Sequence, residues 1–496
     1  MFACTDLRVS SGSVLGAALS LAVTTMGAGI LTLPSAYADA GVVPSTLALA
    51  GVGCLTVYSI DCIVLAVDKI GRNSYEELTR DLLGRVAEEL IRAMLFVYNI
   101  GSAIGYLVVV EDLIAPMQPL VTSYLPVLTT PKHTLLSFWA VVILPLSCIP
   151  TLGALHVSSF LAISATTLIC IMIVFRYFVP GPTEPSAITA AAIANDTLSV
   201  SWWRGRHTLL ALPIVMFSFD CQSLVFQIYA GLDDMRRSVM MKVSVVSLIV
   251  TGVIHAAVGL FGYLTNPVDV RDNIISNYDP NVDKLFKVGY ILYAVPIIVA
   301  FVIILFPIRD SIFILWYGYS AASVATHVPR SRDFTRLVEK EEALELLVGA
   351  DGAPVNGKAV PQSNGEGNGH SNGNGHAKSY GSVEETLKRV VERKKHHNPV
   401  ETISARDNLL ISVSLSTFCV AVALVVPGIV SVVSLLGGLC SSTLCFTIPG
   451  LYRWKMHYTD VAPCRTMWDW SLMVFMIGFG VVGGAVGTAV SVMTFF

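Results

Sequence analysis

An acidic residue lies near the middle of a segment that is otherwise apolar enough to cross a membrane. The segment covers residues 209–229, LLALPIVMFSFDCQSLVFQIY, and the acid is Asp220. A charged aspartate at the bilayer centre costs about 2.5–3.5 kcal/mol on insertion scales, so its presence indicates a function. Asp220 could receive the ammonium or guanidinium group of a bound molecule, or it could carry a coupled proton. A neutral Asp220 that is hydrogen-bonded to a neighbouring helix is the purely structural alternative.

Other polar residues in apolar segments could also take part in chemistry. His255, in VTGVIHAAVG, could titrate near neutral pH, or it could be a hydrogen-bonded packing residue. Asp61 could pair with His255 or with a backbone group. Asn99, Ser102 and Tyr106 are spaced to share one helix face. That face could line a cavity, although small polar residues also hold membrane helices together.

The first apolar run contains residues that should break a helix. Residues 23–37 read VTTMGAGILTLPSAY, with Gly27, Gly29 and Pro34 near the centre. Glycine costs about 1 kcal/mol and proline about 3 kcal/mol in a helix interior. Irregular backbone at membrane depth is tolerated where it lines a polar cavity, as in transporters. A half-helix that starts there offers N–H groups and a positive dipole end to a carboxylate, while the carbonyls of the other half can hold a cation or an ammonium.

The whole chain has the composition of a membrane protein. Of its 496 residues, 54% are hydrophobic and 14% are charged, and the mean hydropathy is +0.67. Eleven apolar windows are each long enough to cross a hydrocarbon core of about 30 Å as a helix. They are residues 12–36, 43–68, 90–116, 133–150, 154–179, 208–231, 238–264, 285–318, 407–426, 428–451 and 468–494. A cleaved signal peptide is the alternative for the first window, but that window is long and is broken by Pro34.

The distribution of basic residues predicts the orientation. With the N-terminus in the cytoplasm, 24 Lys and Arg residues fall in cytoplasmic segments and 6 in outer loops. When the long cytoplasmic loop is left out, 12 basic residues remain inside and 6 outside. Residues 1–11 are then a short cytoplasmic N-terminus, and residues 320–405 are a cytoplasmic loop. Within the loop, residues 350–380 are rich in Gly and Asn and are predicted to be disordered. Glu111 and Asp112 fall near the outer end of the third span.

The two unusual segments stand in a specific relation. The first and the sixth windows are five spans apart, so they cross the membrane in opposite directions. Inverted-repeat transporters place their two broken helices in this way. The sequence therefore predicts an all-α polytopic membrane protein with a five-plus-five inverted repeat and one extra helix, with spans one to eight in residues 12–319 and spans nine to eleven in residues 406–496.

A series of short motifs resembles the amino acid/auxin permease family, and most closely its sodium-coupled neutral amino acid transporter branch. The motifs are MGAGIL with Pro34 and Tyr37-Ala38, Tyr58-Ser59-Ile60 with Ser74-Tyr75-Glu76-Glu77-Leu78, Asn99-Ile100-Gly101-Ser102 with Tyr106-Leu107, Phe217-Ser218-Phe219 with Ile228-Tyr229, Phe261-Gly262-Tyr263-Leu264-Thr265, and Phe306-Pro307-Ile308-Arg309. They occur in the same order over residues 12–319. The resemblance implies the leucine-transporter-like fold and secondary active transport of amino acids.

The chain departs from the sodium-coupled branch at two places. That branch has an Asn where Val23 stands here, and threonines upstream of its eighth-helix Phe-Pro-Ile-Arg, where this chain has apolar residues that include Ile298 and Ala300. Loss of these oxygen ligands should weaken a sodium site, so proton coupling is favoured. Thr24 and Thr25 could still supply oxygens, which leaves sodium open.

The resemblance and the polar residues together define a candidate site. The carboxylate and amino group of the substrate are expected at Gly27, Ala28, Gly29 and Ile30, its side chain at Phe217, Ser218, Phe219 and Asp220, and further contacts at Thr25, Asn99 and Ser102. Ion coupling is expected at Asp220, His255 and Thr24.

The sequence favours a permease over an enzyme. It has no phosphate-binding Gly-Lys-Ser/Thr loop and no His/Cys set with metal-ligand spacing, so we expect no cofactor, no metal and no nucleic acid partner. The prediction is an amino acid permease, most simply of the plasma membrane, whose partners are the substrate and lipid. The alternatives are an amino acid sensor that signals through the cytoplasmic loop and a transporter of polyamines or other amines. The sequence leaves the oligomeric state open.

Overall fold

A computed structural model describes residues 13–27, 29–148, 156–181, 199–205, 208–317, 405–464 and 466–495. All regular secondary structure in these ranges is helical, which confirms the all-α prediction. The predicted N-terminal segment 1–11 and residues 320–404 of the predicted loop, with the segment 350–380, lie outside the described residues.

The helices follow the apolar windows. In chain order the α-helices are α1 (Val14–Thr25), α2 (Gly29–Ala40), α3 (Val42–Ile70), α4 (Tyr75–Leu83), α5 (Arg85–Ile114), α6 (Gln118–Tyr124), α7 (Pro131–Phe138), α8 (Leu144–Ser147), α9 (His156–Phe178), α10 (Thr208–Ser218), α11 (Gln222–Ala230), α12 (Arg237–Thr265), α13 (Lys284–Tyr317), α14 (Ala405–Ala423), α15 (Ile429–Leu436), α16 (Ile448–Tyr458) and α17 (Met467–Phe495). Ala115–Met117 and Ile274–Asn277 are 3-10 helices, and Trp139–Ile143 and Gly437–Thr447 are π-helical.

Several of these helices are long enough to span a bilayer. Among the described residues, eight segments have the length and apolarity that a membrane crossing needs. They are Val42–Ile70, Arg85–Tyr124, Thr208–Ala230, Arg237–Thr265, Lys284–Arg309, Arg406–Ala423, Ile429–Tyr458 and Met467–Met493. The protein is therefore an integral membrane protein that crosses the bilayer several times.

The other three predicted spans also coincide with helices, in interrupted or shorter form. The first consists of α1 and α2, each of 12 residues. The fourth consists of α7, the π-helical stretch and α8, and the fifth is α9. The count of eleven spans and the inverted repeat stay predictions.

At the predicted outer end of the protein, the turn between α2 and α3 shows how the N–H groups at a helix start find hydrogen-bond partners. Gly41 has a φ of 94°, and a Cβ on it would lie 2.8 Å from the backbone nitrogen of Trp203, so only glycine fits. Val42 N–H donates to the carbonyl of Ser201 at 3.1 Å. The backbone of the loop before α10 thus satisfies the first N–H groups of α3, which have no partner inside the helix.

A second contact at the same end provides a hydrogen-bond acceptor for an N–H group in the first turn of α15. The carboxylate of Asp272, in the loop between α12 and α13, accepts the N–H of Val430. Burial raises the pKa of Asp272 above its ordinary value, although this hydrogen bond acts in the opposite direction. Asp112 in α5 is nearby in the same region, since its carboxylate accepts from the side chain of Asn273 at 3.1 Å. This contact joins the end of α5 to the loop before α13.

The predicted cytoplasmic end is held by ion pairs between helices. Asp61 of α3 pairs with Arg237 of α12, with N–O distances of 2.6 and 2.5 Å. The expectation that Asp61 pairs with His255 or a backbone group was therefore wrong. Arg237 reaches back from the first turn of α12, and a bidentate guanidinium satisfies both carboxylate oxygens better than a neutral imidazole could.

The helix α10 packs closely against the π-helical segment Gly437–Thr447. A Cβ at Gly437 would overlap the carbonyl oxygen of Pro213 and lie 3.2 Å from Cβ of Phe217. On its other side the segment packs along α17, where a Cβ at Gly438 would lie 2.6 Å from the backbone nitrogen of Thr488. Small residues allow such close helix–helix contact in membranes.

The substitution Gly437→Ala should destabilise this packing. Overpacking of a tight core costs about 1–3 kcal/mol, so we expect a lower unfolding temperature for the detergent-solubilised protein. Gly478→Ala in α17 is the matched control, because a Cβ there meets no heavy atom within 4 Å. Identical unfolding curves for the two variants would contradict the packing described here.

Candidate functional site

The first span is interrupted at the predicted position. α1 ends at Thr25 and α2 begins at Gly29, with Met26 and Gly27 outside both helices. Gly27 faces open space, since a Cβ there would meet no heavy atom within 4 Å. The N–H of Ile30 donates to the carbonyl of Gly27 at 3.3 Å, so this N–H is already used in a tight turn. Ala28, which was predicted to bind substrate, lies outside the described residues.

The sixth span is interrupted in the same way. α10 ends at Ser218 and α11 begins at Gln222, which leaves Phe219, Asp220 and Cys221 between them. The Cys221 N–H, freed by the break, donates to the side-chain oxygen of Gln222 at 3.0 Å. A backbone N–H group that the break leaves without a helical partner is therefore hydrogen-bonded by a side chain of the same span.

The two interruptions contact one another. A Cβ at Gly29 would lie 3.0 Å from Cδ1 of Phe217 and 3.2 Å from Oγ of Ser218. The Ser218 hydroxyl donates to the carbonyl of Ile214 at 2.8 Å, and the Gly29 carbonyl lies 3.4 Å away as a weaker second acceptor. The structure thus brings Gly29, Phe217 and Ser218 together, and only a residue without a side chain fits at Gly29. Ile30, by contrast, is fully buried.

Asp220 is buried beside polar groups of a third segment. The residue is 5% exposed, and the hydroxyl of Ser441 and the thiol of Cys445 interact with its carboxylate. Oδ2 of Asp220 and Oγ of Ser441 nevertheless form no hydrogen bond of ordinary geometry among the described residues. Buried oxygens without partners are unfavourable, because they lose their bonds to water.

His255 on α12 contacts the second break through Phe219. It is fully buried, and its ring centroid is 5.3 Å from that of Phe219. Both ring nitrogens lack a hydrogen-bond partner among the described residues. One turn earlier on α12, the hydroxyl of Thr251 lies 3.1 Å from that of Thr25, the last residue of α1. The helix α12 therefore contacts the end of α1 and the break of the sixth span together, while the side chain of Thr24 lies outside the described residues.

On α5 the residue that contacts the break is Tyr98. Its ring centroid lies 5.9 Å from that of Phe217. Ser102, one turn along the same face, is buried with an unpartnered hydroxyl. The predicted Asn99 is half-buried, and none of the hydrogen bonds in the described part of the chain involves its side chain. Tyr98 could have been found from its spacing of four residues to Ser102.

A set of polar residues around the second break was not predicted from the sequence. Gln222 donates to the hydroxyl of Ser59 on α3 at 3.3 Å, and Ser59 donates to the carbonyl of Cys445. Tyr75 of α4 donates to the carbonyl of Leu444 at 2.6 Å. These contacts depend on the π-helical course of residues 437–447, which no periodicity in the sequence indicates.

Comparison with known proteins agrees with this architecture. The family model described as transmembrane amino acid transporter protein matches residues 10–493. A relative from Saccharomyces cerevisiae, named vacuolar amino acid transporter 6, is 24% identical over 455 residues, which are 90% of this chain and 91% of the relative.

The unpartnered nitrogens of His255 lead to a stability prediction. Replacing a buried, unsatisfied polar group by an apolar one of similar volume removes a penalty of about 1–3 kcal/mol, so His255→Leu should raise the unfolding temperature by a few degrees. Thr251→Val is the matched control one turn away. It removes a hydroxyl that is paired with Thr25, so its unfolding temperature should fall slightly. A marked loss of stability in His255→Leu would show that the imidazole is bonded after all.

Proposed function

Since this chain belongs to the transmembrane amino acid transporter family, we propose that it is a secondary active amino acid transporter driven by protons. The observation that carries the proposal is the contact between two broken helices at Gly29 and Ser218, beside a Gly27 that faces open space. A membrane enzyme would need a nucleophile and a base at matching depth, and the family is one of transporters.

The ends of the half-helices suit the two charged groups of an amino acid. The start of α2 carries the positive end of a helix dipole, which favours the substrate carboxylate. The end of α1, with the backbone carbonyls near Thr25 and Met26, favours the substrate ammonium. Because the Ile30 N–H is bonded to Gly27, the donors for the carboxylate are the N–H groups that precede it.

Alternating access would follow from movement of the broken helices. α2 and α10 pack closely in the predicted outer half of the membrane, and at the breaks a side chain on Gly29 would strike Phe217. Separation of these half-helices would open the site to that side. We propose that they move against a scaffold of spans three, four, eight and nine.

For the coupled ion we favour the proton, and His255 as its carrier. Val23, Ile298 and Ala300 stand where a sodium-coupled relative has oxygen ligands. A histidine with two unpaired nitrogens beside the second break can take up a proton once water enters the cavity. Asp220 is the alternative carrier.

The membrane and the orientation also belong to the proposal. We propose that the N-terminus is cytoplasmic and that the transporter lies in the plasma membrane. A vacuolar membrane is the alternative that the name of the yeast relative favours. The proposed orientation is the same in both, because the vacuolar lumen corresponds topologically to the exterior.

An amino acid sensor with the same fold is the second candidate, and a polyamine or other amine transporter is the third. A sensor binds amino acids without appreciable flux, and an amine transporter would not require the substrate carboxylate. Measurements of uptake distinguish both of these candidates from the proton-driven amino acid transporter.

Gly29→Val should abolish uptake of labelled amino acids while leaving membrane insertion intact. The branched side chain would strike Phe217 and the backbone of Ser218, 3.3 Å from the added Cβ, and would hold α2 away from α10. Gly51→Val on α3 is the matched control, since a Cβ there meets no heavy atom within 4 Å. Normal uptake by Gly29→Val would disprove the role of the broken helix.

Uptake of labelled alanine and lysine should rise as the outer side is acidified and should not require sodium. In His255→Gln this dependence on pH should disappear while binding of the amino acid persists, because the carrier of the proton is gone. Asp220→Asn tests the alternative carrier in the same assay. An absolute requirement for sodium, with no response to pH, would refute proton coupling.

A further inference from the structure

The segment Gly437–Thr447 is π-helical over its whole length. π-helical turns are rare, are mostly single turns inside α-helices, and occur frequently at functional sites. Here the segment covers 11 residues and is secured by side chains of other helices. Tyr75 donates to the carbonyl of Leu444, and Ser59 donates to that of Cys445. This side of the segment is therefore held in one position.

One side chain that the same segment presents to the second break, that of Ser441, has bonding capacity left. Ser441 is fully buried and its hydroxyl interacts with the carboxylate of Asp220, yet neither this hydroxyl nor Oδ2 of Asp220 forms a hydrogen bond of ordinary geometry among the described residues. The neighbouring Ser442 differs, because its hydroxyl donates to the carbonyl of Gly438. The two adjacent serines thus differ, because the Ser442 hydroxyl is used within its own helix and the Ser441 hydroxyl keeps bonding capacity beside Asp220.

The chemistry around these atoms selects one class of ligand. None of the ion pairs in the described part of the chain includes Asp220. The ring of Tyr98 contacts that of Phe217, three residues before Asp220, so an aromatic ring lies on the α5 side of the second break. A carboxylate, a hydroxyl oxygen and an aromatic ring together complement a cation with several N–H donors. An acidic side chain would be repelled here, and an apolar one would leave the oxygens unsatisfied.

We propose that Asp220, Ser441 and Tyr98 form a subsite for the terminal ammonium or guanidinium group of a cationic amino acid, with Ser441 as a specificity-determining residue. The inference rests on the proposed function, because it names the substrate class of that transporter. Asp220 supplies the charge, Ser441 accepts one N–H, and Tyr98 covers the cation from the α5 side.

The test is the selectivity for lysine over alanine in proteoliposomes that contain the purified full-length protein. Labelled alanine uptake is competed with lysine, arginine, leucine and glutamate, and KM is measured for lysine and alanine. We expect the wild type to prefer lysine and arginine. Ser441→Ala should reduce the lysine-to-alanine selectivity by about tenfold, because a hydrogen bond to a charged group is lost.

Three further variants make the result specific. Ser442→Ala, whose hydroxyl is bonded within its own helix, should keep the wild-type selectivity. Ser441→Thr retains a hydroxyl and should retain most of the preference. Asp220→Asn should abolish it, with lysine uptake reduced more than alanine uptake.

The outcomes separate failure of this inference from failure of the proposed function. If the wild type transports amino acids but prefers neutral or acidic ones, or if Ser441→Ala lowers all substrates equally, the subsite is wrong and the transporter proposal stands. If the wild type binds amino acids without moving any of them, the transporter proposal fails and the subsite loses its basis.

Discussion

A backbone group that leaves a helix inside a bilayer has no water to bond, and every irregular stretch of this protein has to meet that constraint. The first break does so through a tight turn in which Ile30 donates to Gly27 and the hydroxyl of Thr32 donates to the carbonyl of Gly29. The second does so through the side chain of Gln222. In the π-helical segment, backbone carbonyl groups accept hydrogen bonds from the side chains of Tyr75 and Ser59, which lie on other helices.

This local compensation explains why the three irregular stretches lie together. The second break and the π-helical segment share partners, since Gln222 bonds to Ser59 and Ser59 bonds to Cys445. The first break can approach the second only because Gly29 lacks a side chain. A change at one stretch therefore affects the hydrogen bonds or the packing of the next, which is a physical basis for coupled movement.

Several backbone groups around the site are hydrogen-bonded, but several buried side chains are not. Asp220, His255, Ser102 and Ser441 all bury polar atoms without partners among the described residues. Each such group destabilises the folded protein, and natural proteins retain strain of this kind mainly where function requires it. Their position around the two breaks, on α5, α12 and the π-helical segment, suits a cavity that is completed by a polar substrate and a proton.

Much of the architecture could be predicted from the sequence because the bilayer imposes simple rules. Apolar length determined where the helices lie, and glycine in the first span and an acid in the sixth indicated the two breaks. Pro34, which was also expected to break the first span, lies inside α2. The partners of single side chains could not be predicted, because they depend on which helix faces which. Asp61 pairs with Arg237, 176 residues away, and Tyr98 rather than Asn99 meets Phe217. The course of residues 437–447, and with it the contact of Ser441 with Asp220, was decided only in the folded protein, because a π-helix follows from packing against neighbouring helices and leaves no period in the sequence.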